Sequence, residues 1–308
     1  MRHEIPATQR SILLLILHMN KYVAFALLLG LLSDLSWSCK NTQKSRKAHL
    51  QSAPPGTNHL FENYFIDETE VTNLSWREYM YWTKRAYGAE SPQFKSTLPD
   101  TLVWKNCYKQ FTTKRYQDHT AIESLVYLYL RHPSFSQFPI VGISFEQAVR
   151  FCEWRTNRVN EVFYVNKHKE VTFPIDSSIV IPKRVFFRLP TEEEWEYAAR
   201  AGYDSTKQSG AYSDKIYYNT LEASSIREIS ESYDRFTPMQ GMSLQPDKYN
   251  RYHFTGNVAE LISEKGIAKG GSFIHSMKES YYKNRIAYNA PDYWLGFRCI
   301  CEILPYQE

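Results

Sequence analysis

Arg188-Leu-Pro-Thr-Glu-Glu-Glu-Trp-Glu-Tyr-Ala-Ala-Arg200 reads as the end of a strand running straight into a capped helix. Thr191 followed three residues later by Glu194 is a capping box, in which each side chain satisfies the other residue's orphan backbone N–H. Pro190 precedes it, three glutamates fill the first turn where the helix dipole favours negative charge, and Gly202 supplies the stop. Trp195, Ala198 and Ala199 fall at i, i+3 and i+4 and mark the inward face. The same device recurs twice upstream. Ser75-Trp-Arg-Glu78 opens a predicted helix with Tyr79, Met80, Thr83 and Tyr87 on one face and Gly88 at its end. Ser144-Phe-Glu-Gln147 opens another, whose Phe145, Ala148, Val149 and Cys152 turn the Cys152 thiol toward the core.

Around these helices the chain reads as short strands and long loops. Arg184–Leu189 and Ile267–Phe273 have strand character, and Lys265-Gly266 forms a turn between Glu260–Ser263 and the latter. The stretch 161–181, with Val162-Phe-Tyr-Val165 and Val171-Thr-Phe173, reads as a hairpin. With 308 residues, 43% of them hydrophobic and only 12 Gly, the chain can bury a substantial core and needs no disulfide scaffold. There is no internal repeat and no compositional break after residue 60, so one mixed α+β domain is the expected architecture. The 37 basic residues are nearly balanced by 33 acidic ones, a net charge of +4, which excludes an electrostatically driven nucleic-acid binder.

The N-terminus carries a different signal. Ile12–Leu17 and Val23–Leu32 are almost wholly apolar, Lys21 precedes the second run, and Leu35-Ser-Trp-Ser-Cys39 follows it. A basic region, an apolar stretch of about ten residues and small residues before a cysteine describe a secretory leader over residues 1–38, with Met19 as an alternative start. The placement of Cys39 resembles a bacterial lipobox, which predicts lipidation of that thiol; the alternative is a plain secreted protein cleaved near Ser38. Residues 39–60 then form a polar tether, and residues 61–308 the folded domain.

Seven segments in order carry a family resemblance over about residues 60–303. They are Phe65-Ile-Asp-Glu-Thr-Glu-Val-Thr-Asn73, Pro139-Ile-Val-Gly-Ile-Ser-Phe-Glu-Gln-Ala148, Phe151-Cys-Glu-Trp154, the Arg188–Arg200 stretch, Gly256-Asn-Val-Ala-Glu260, Gly270-Gly-Ser-Phe273 and Gly296-Phe-Arg-Cys299. In this order they resemble the formylglycine-generating enzyme, or sulfatase-modifying factor, family. The resemblance implies an α+β fold related to C-type lectins, with little regular secondary structure. Two inserts, Leu98-Pro-Asp-Thr-Leu-Val-Trp104 and Tyr129-Leu-Arg-His-Pro-Ser-Phe135, are similar to the GldK, PorK and GldJ lipoproteins of Bacteroidetes gliding motility and type IX secretion.

That family oxidises a substrate cysteine with copper(I) held by two cysteines spaced C-x4-C, soft thiolates suited to a soft ion. The corresponding window, Phe273 to Leu295, has no cysteine, and counting from Gly270 puts His275 and Ser280 at the two thiol positions. The resemblance therefore predicts a chain without copper and without catalytic residues. His119, His132, His168, His253 and His275 show no pair at metal-ligand spacing. Calcium is the metal the resemblance does imply, around Gly256, Val258 and Glu260, although His253, Ala259 and Leu261 depart from the family pattern there; the competing reading is a metal-free turn with Glu260 paired to a base. The family also pairs the cysteines at the positions of Cys152 and Cys299, which leaves Cys107 and Cys301 as core thiols or a second bridge.

Glu279 to Trp294 occupies the family's substrate face, so Tyr281, Tyr282, Arg285, Tyr288 and Trp294 are the expected binding surface. The resulting functional expectation is a non-catalytic lipoprotein on the periplasmic side or outer face of the outer membrane, acting through envelope protein partners in a motility or secretion complex. An atypical oxidase of the same family and a lectin-like peptide or glycan binder are the alternatives.

Overall fold

The computed structural model describes residues 53–110, 119–173, 175, 178–202, 218–221 and 237–305. The leader, Cys39 and most of the tether lie outside the described residues. The chain divides into two units between Ala53 and Pro54, and the elements described below belong to the second, Pro54–Glu308. Among the described residues no helix is long and apolar enough to cross a membrane.

Among the described residues, two four-stranded sheets and six α-helices build the domain. The first sheet contains β1 (Thr57–Phe61), β2 (Tyr64–Asp67), β3 (Val185–Arg188) and the near-terminal β8 (Ile300–Ile303), in the order β1-β2-β8-β3 and antiparallel throughout. Phe65 and Phe187 both take Cys301 as register partner, so β8 is clamped between strands more than a hundred residues apart in sequence. The second sheet, β6 (Ile286–Ala287), β5 (Ile267–Lys269), β4 (Ala259–Leu261) and β7 (Leu295–Gly296), is ordered β6-β5-β4-β7 with only the β4–β7 pair parallel. The helices are α1 (Asn73–Tyr87), α2 (Pro92–Lys95), α3 (Trp104–Gln110), α4 (His119–Leu128), α5 (Phe145–Lys167) and α6 (Glu192–Gly202).

The capping signals at Ser144 and Thr191 form as read. Gln147 N–H donates to Ser144 Oγ at 3.2 Å and Ser144 N–H to Gln147 Oε1 at 2.8 Å. Glu194 N–H donates to Thr191 Oγ1 at 3.2 Å and Thr191 N–H to Glu194 Oε2 at 2.8 Å. Cys152, Trp195, Ala198 and Ala199 are buried, as the periodicity requires.

Three expectations are corrected. Helix α1 begins at Asn73, because Thr72 caps it and accepts from Ser75 N–H; Ser75 lies inside the first turn. Its inward face is Asn73, Trp76, Tyr79 and Thr83, and Tyr87 is exposed. The hairpin over 161–181 does not form: Glu161–Lys167 continues α5, which runs to 23 residues. The strand expected over Ile267–Phe273 stops at Lys269, since Gly270 and Gly271 turn away at φ +85° and +70°.

Helix α5 extends because its side chains complete the edge of the first sheet. Asn160 Nδ2 donates to the Val185 carbonyl at 2.9 Å, Arg184 N–H donates to Asn160 Oδ1 at 2.7 Å, and Phe187 N–H donates to Thr156 Oγ1 at 2.9 Å. The outer edge of β3 is thereby hydrogen-bonded to a helix instead of being left open to another strand. Aromatic rings pack the core against one another: Trp76 stacks on Phe151 at 5.5 Å, and both rings meet Phe297 edge-on.

Candidate functional site

Gly256 and Asn257 take φ of +77° and +65°, a double left-handed turn that glycine adopts freely and asparagine tolerates. A Cβ at Gly256 would collide with the Asn219 carbonyl. The turn buries Asn257 completely and makes it a hub. Its Nδ2 donates to Glu70 Oε1 at 2.9 Å, its Oδ1 accepts from Met239 N–H at 2.6 Å and Asn219 Nδ2 at 3.0 Å, and its carbonyl accepts from Phe273 N–H at 3.0 Å. Glu70 is 1% exposed, and burial pushes its carboxyl up to about 7 against the pull of Arg298.

Glu260 follows on β4 and is fully buried. Its Oε2 accepts from Arg298 Nε at 2.7 Å and Trp195 Nε1 at 2.6 Å, and its Oε1 accepts from Arg298 Nη2 at 2.6 Å. Arg298 also donates to the Asp67 and Tyr252 carbonyls and lies 3.9 Å from the Phe254 ring centre. Burial raises the Glu260 pKa, and the paired Arg298 opposes it. This donor set does not fit calcium: both carboxylate oxygens are committed to a guanidinium and an indole, and displacing them would leave Arg298 buried without its counter-ion. Of the residues expected to hold calcium, Glu260 is thus a structural ion-pair member, Gly256 forms the turn and Val258 packs in the core beside Phe273.

The window that in the family carries the thiols begins at Gly270-Gly271-Ser272. Ser272 Oγ lies 2.6 Å from His275 Nδ1, and the His275 ring meets Trp294 edge-on at 5.1 Å. Burial lowers the His275 pKa and favours the neutral ring. Ser280 packs under Gly271, where a Cβ would strike its side chain, and its buried Oγ has no hydrogen-bond partner. An imidazole tied to a serine hydroxyl and a buried hydroxyl replace the thiolate pair, so the residues present do not fit copper(I). Among the described residues no group of three His, Cys, Asp or Glu could hold a metal ion. His253, half-buried at φ +56°, has its imidazole pKa lowered to about 4 by desolvation and is engaged with Gln240 and Ser243.

Beside the window, fully buried Lys269 donates to Glu192 at 3.0 Å and Glu196 at 2.7 Å, and Arg285 pairs with Glu192. The Arg285 hydrogen bond, joined by Lys269, holds the Glu192 carboxyl down at about 2. The five residues expected as a binding surface separate here. Tyr282 and Tyr288 are 8% and 9% exposed and belong to the interior, which corrects their assignment. Arg285 is exposed, and Tyr281 and Trp294 are half-buried. Tyr282 turns inward because it packs with Trp195, Phe254 and Ile300.

Cys152 and Cys299 are brought together with sulfurs 3.5 Å apart, unbridged, and burial and the neighbouring thiol raise the Cys299 pKa well above its ordinary value. Cys107 lies in a cluster with Trp104, Phe273 and Tyr293, whereas Cys301 lies in the first sheet; burial pushes each thiol up to about 12. Sequence reasoning missed Asn257 and Glu70 as the centre of the polar network. The signal available was the Gly-Asn pair, whose left-handed propensity marks a turn.

A family model described as the sulfatase-modifying factor enzyme 1-like domain matches residues 37–303, and the chain belongs to that family. It is 22% identical to the formylglycine-generating enzyme of Mus musculus, over 82% of this chain and 69% of that protein. It is 24% identical to the inactive C-alpha-formylglycine-generating enzyme 2 of Bos taurus, over 77% of this chain and 76% of that protein. Among solved structures it is similar to Treponema denticola variable protein 1, at 17% identity and a TM-score of 0.41, over 81% of this chain and 92% of that one.

Proposed function

We propose that this chain is a non-catalytic member of its family that works by protein–protein contact in the cell envelope. In this reading it is lipid-anchored through Cys39 to the outer membrane, facing the periplasm or the cell surface, and serves a gliding-motility or type IX secretion complex. The observation that carries the non-catalytic part is the Ser272–His275 hydrogen bond and the buried Ser280 at the positions of the family's thiols. A relative bearing the word inactive in its name supports the same direction. The envelope part rests on the leader-like N-terminus and the cysteine at position 39. Of the five residues expected as a binding surface, Trp294, Tyr281 and Arg285 are the ones that reach the surface for contact.

The purified chain, incubated with copper(I), dioxygen and a Cys-x-Pro-x-Arg peptide, is expected to leave the peptide mass unchanged; conversion of the peptide thiol to an aldehyde would overturn the non-catalytic reading. In its own cells, crosslinking followed by mass spectrometry is expected to join the chain to envelope proteins, and Cys39→Ser to release it from the membrane fraction. Recovery of the Cys39→Ser chain in the membrane fraction would sink the lipid anchor.

A further inference from the structure

A second site shares no residue with the Gly271–Gly296 window. Between the segment joining β2 to α1 and one face of α5 lies a cavity of about 440 Å3, within the roughly 300–1,000 Å3 of small-molecule sites. Phe151, Trp154, Val159 and Val162 of α5 give it an apolar wall. Ring contacts hold that wall in place: Phe151 stacks on Trp76 with centres 5.5 Å apart, and Trp154 packs on Tyr79 at 5.3 Å and on Phe151 at 5.5 Å. The hydroxyl groups on the lining are already engaged. Thr69 Oγ1 donates to the Glu70 carbonyl at 2.9 Å, and Thr72 Oγ1 accepts from Ser75 N–H at 3.2 Å and lies 3.2 Å from Ser75 Oγ. The unpartnered atoms of Glu70, Trp154 and Arg158 are sealed from solvent and offer a ligand nothing. The space therefore favours an apolar body over a sugar or other polyol.

The charges narrow its chemistry. Five charged side chains line the cavity, and four of them are committed elsewhere. Asp67 pairs with Arg155 at 2.8 Å, Arg158 pairs with Glu161, and Glu70 is buried and accepts from Asn257 Nδ2 at 2.9 Å. Neither guanidinium therefore brings uncompensated positive charge. The fifth, Glu78, is exposed on α1 and has no hydrogen-bond or ion-pair partner among the described residues. A single free carboxylate at the mouth of an apolar space repels an anion and gives a neutral molecule nothing to pair with. We propose that this cavity binds a small organic cation, an arylalkylammonium or alkylammonium whose apolar body lies on the Phe151–Trp154 wall and whose ammonium meets the Glu78 carboxylate. The ligand then spans from α5, which supplies the wall, to α1, which supplies the charge.

The test is isothermal titration of the full chain with phenethylamine, against 2-phenylethanol, phenylacetate and ethylamine. Phenethylamine is expected to bind at millimolar concentration or below. The neutral alcohol should bind about threefold to fivefold more weakly and phenylacetate more weakly still, since the pairing with Glu78 is lost and then reversed in sign. Ethylamine, which keeps the charge but lacks the apolar body, should show no binding in the same range. Glu78→Lys, on an exposed helix face, is expected to leave the melting temperature unchanged and to invert the order, so that phenylacetate binds more tightly than phenethylamine. Glu153→Gln, which neutralises an exposed carboxylate of α5 outside the cavity lining, is expected to bind like the parent. The proposal is overturned if phenethylamine does not bind at millimolar concentration, if any of the three comparison compounds binds as well, if Glu78→Lys keeps the parent's preference, or if Glu153→Gln abolishes it.

Discussion

Glu70→Gln is the substitution that isolates the cost of the buried carboxyl. Gln keeps an acceptor for Asn257 Nδ2, now 2.9 Å from Glu70 Oε1, and removes the ionisable proton. Glu70 titrates in the folded chain at about 7, against 4.5 for its ordinary value. Its folded pKa is raised, so the folded state holds the proton more tightly than the unfolded one. The stability this contributes is fully present below pH 4.5 and is lost as pH rises through about 7. At about 1.4 kcal/mol per pH unit, wild type should lose about 2–3 kcal/mol relative to Glu70→Gln between about pH 5 and about pH 8.5. Urea unfolding followed by tryptophan fluorescence at those two values measures it, with the buried Trp76, Trp104 and Trp195 as reporters. The difference between the two proteins cancels groups that titrate alike in both. A gap of the same size at both pH values would show that Glu70 does not titrate as argued.

Mild oxidation is expected to join Cys152 to Cys299, 147 residues apart, and to raise unfolding free energy by about 5 kcal/mol in the chain-entropy model, read by mass spectrometry and denaturation; Cys152→Ser should show neither change. Gly271→Ala, which drives a Cβ into Ser280 at φ +70°, should cost about 2–4 kcal/mol. Gly266→Ala, at φ +91° where the added Cβ meets only the Tyr288 carbonyl at 3.8 Å, an ordinary contact, should cost about 1 kcal/mol by the same melts; equal losses at both sites would refute the packing argument. Glu260→Gln should cost about 3–5 kcal/mol by leaving Arg298 buried with a weakened partner, and millimolar calcium should leave the wild-type melting temperature where it was. A clear calcium-dependent rise would contradict the ion-pair assignment.

What the sequence made legible follows a physical line. Local devices could be read: the boxes at Ser144 and Thr191 involve residues three apart, and their inward faces follow from helical spacing. Ser75-x-x-Glu78 has the same pattern, yet Thr72 took the cap, because a competing hydroxyl stood three residues earlier. Val162-Phe-Tyr-Val165 has strand composition but follows 17 helical residues, and Thr156 and Asn160 had already tied α5 to β3. The candidate site was legible as a window lacking thiols, which needs only a count. Its partners were not: Glu70 meets Asn257 across 187 residues and Glu260 meets Arg298 across 38, distances at which no periodic signal survives. The aromatic run at 281–294 misled for a related reason, since tyrosine suits both an interior and an interface.

The Glu260–Arg298–Trp195 lock and the Asn257 hub have all their side-chain members outside residues 272–295. That segment enters past two left-handed glycines, leaves through β7, and sends Phe273, Tyr282 and Tyr293 back into the core as its pins. It therefore behaves as an exchangeable cassette. A thiol pair, a serine–histidine pair or a bare contact loop can be written between the pins without rewriting the frame that presents it. For protein engineering this marks where a new reactive group could be grafted into this chain, and for natural history it marks how a chemistry could be erased while its carrier went on being made.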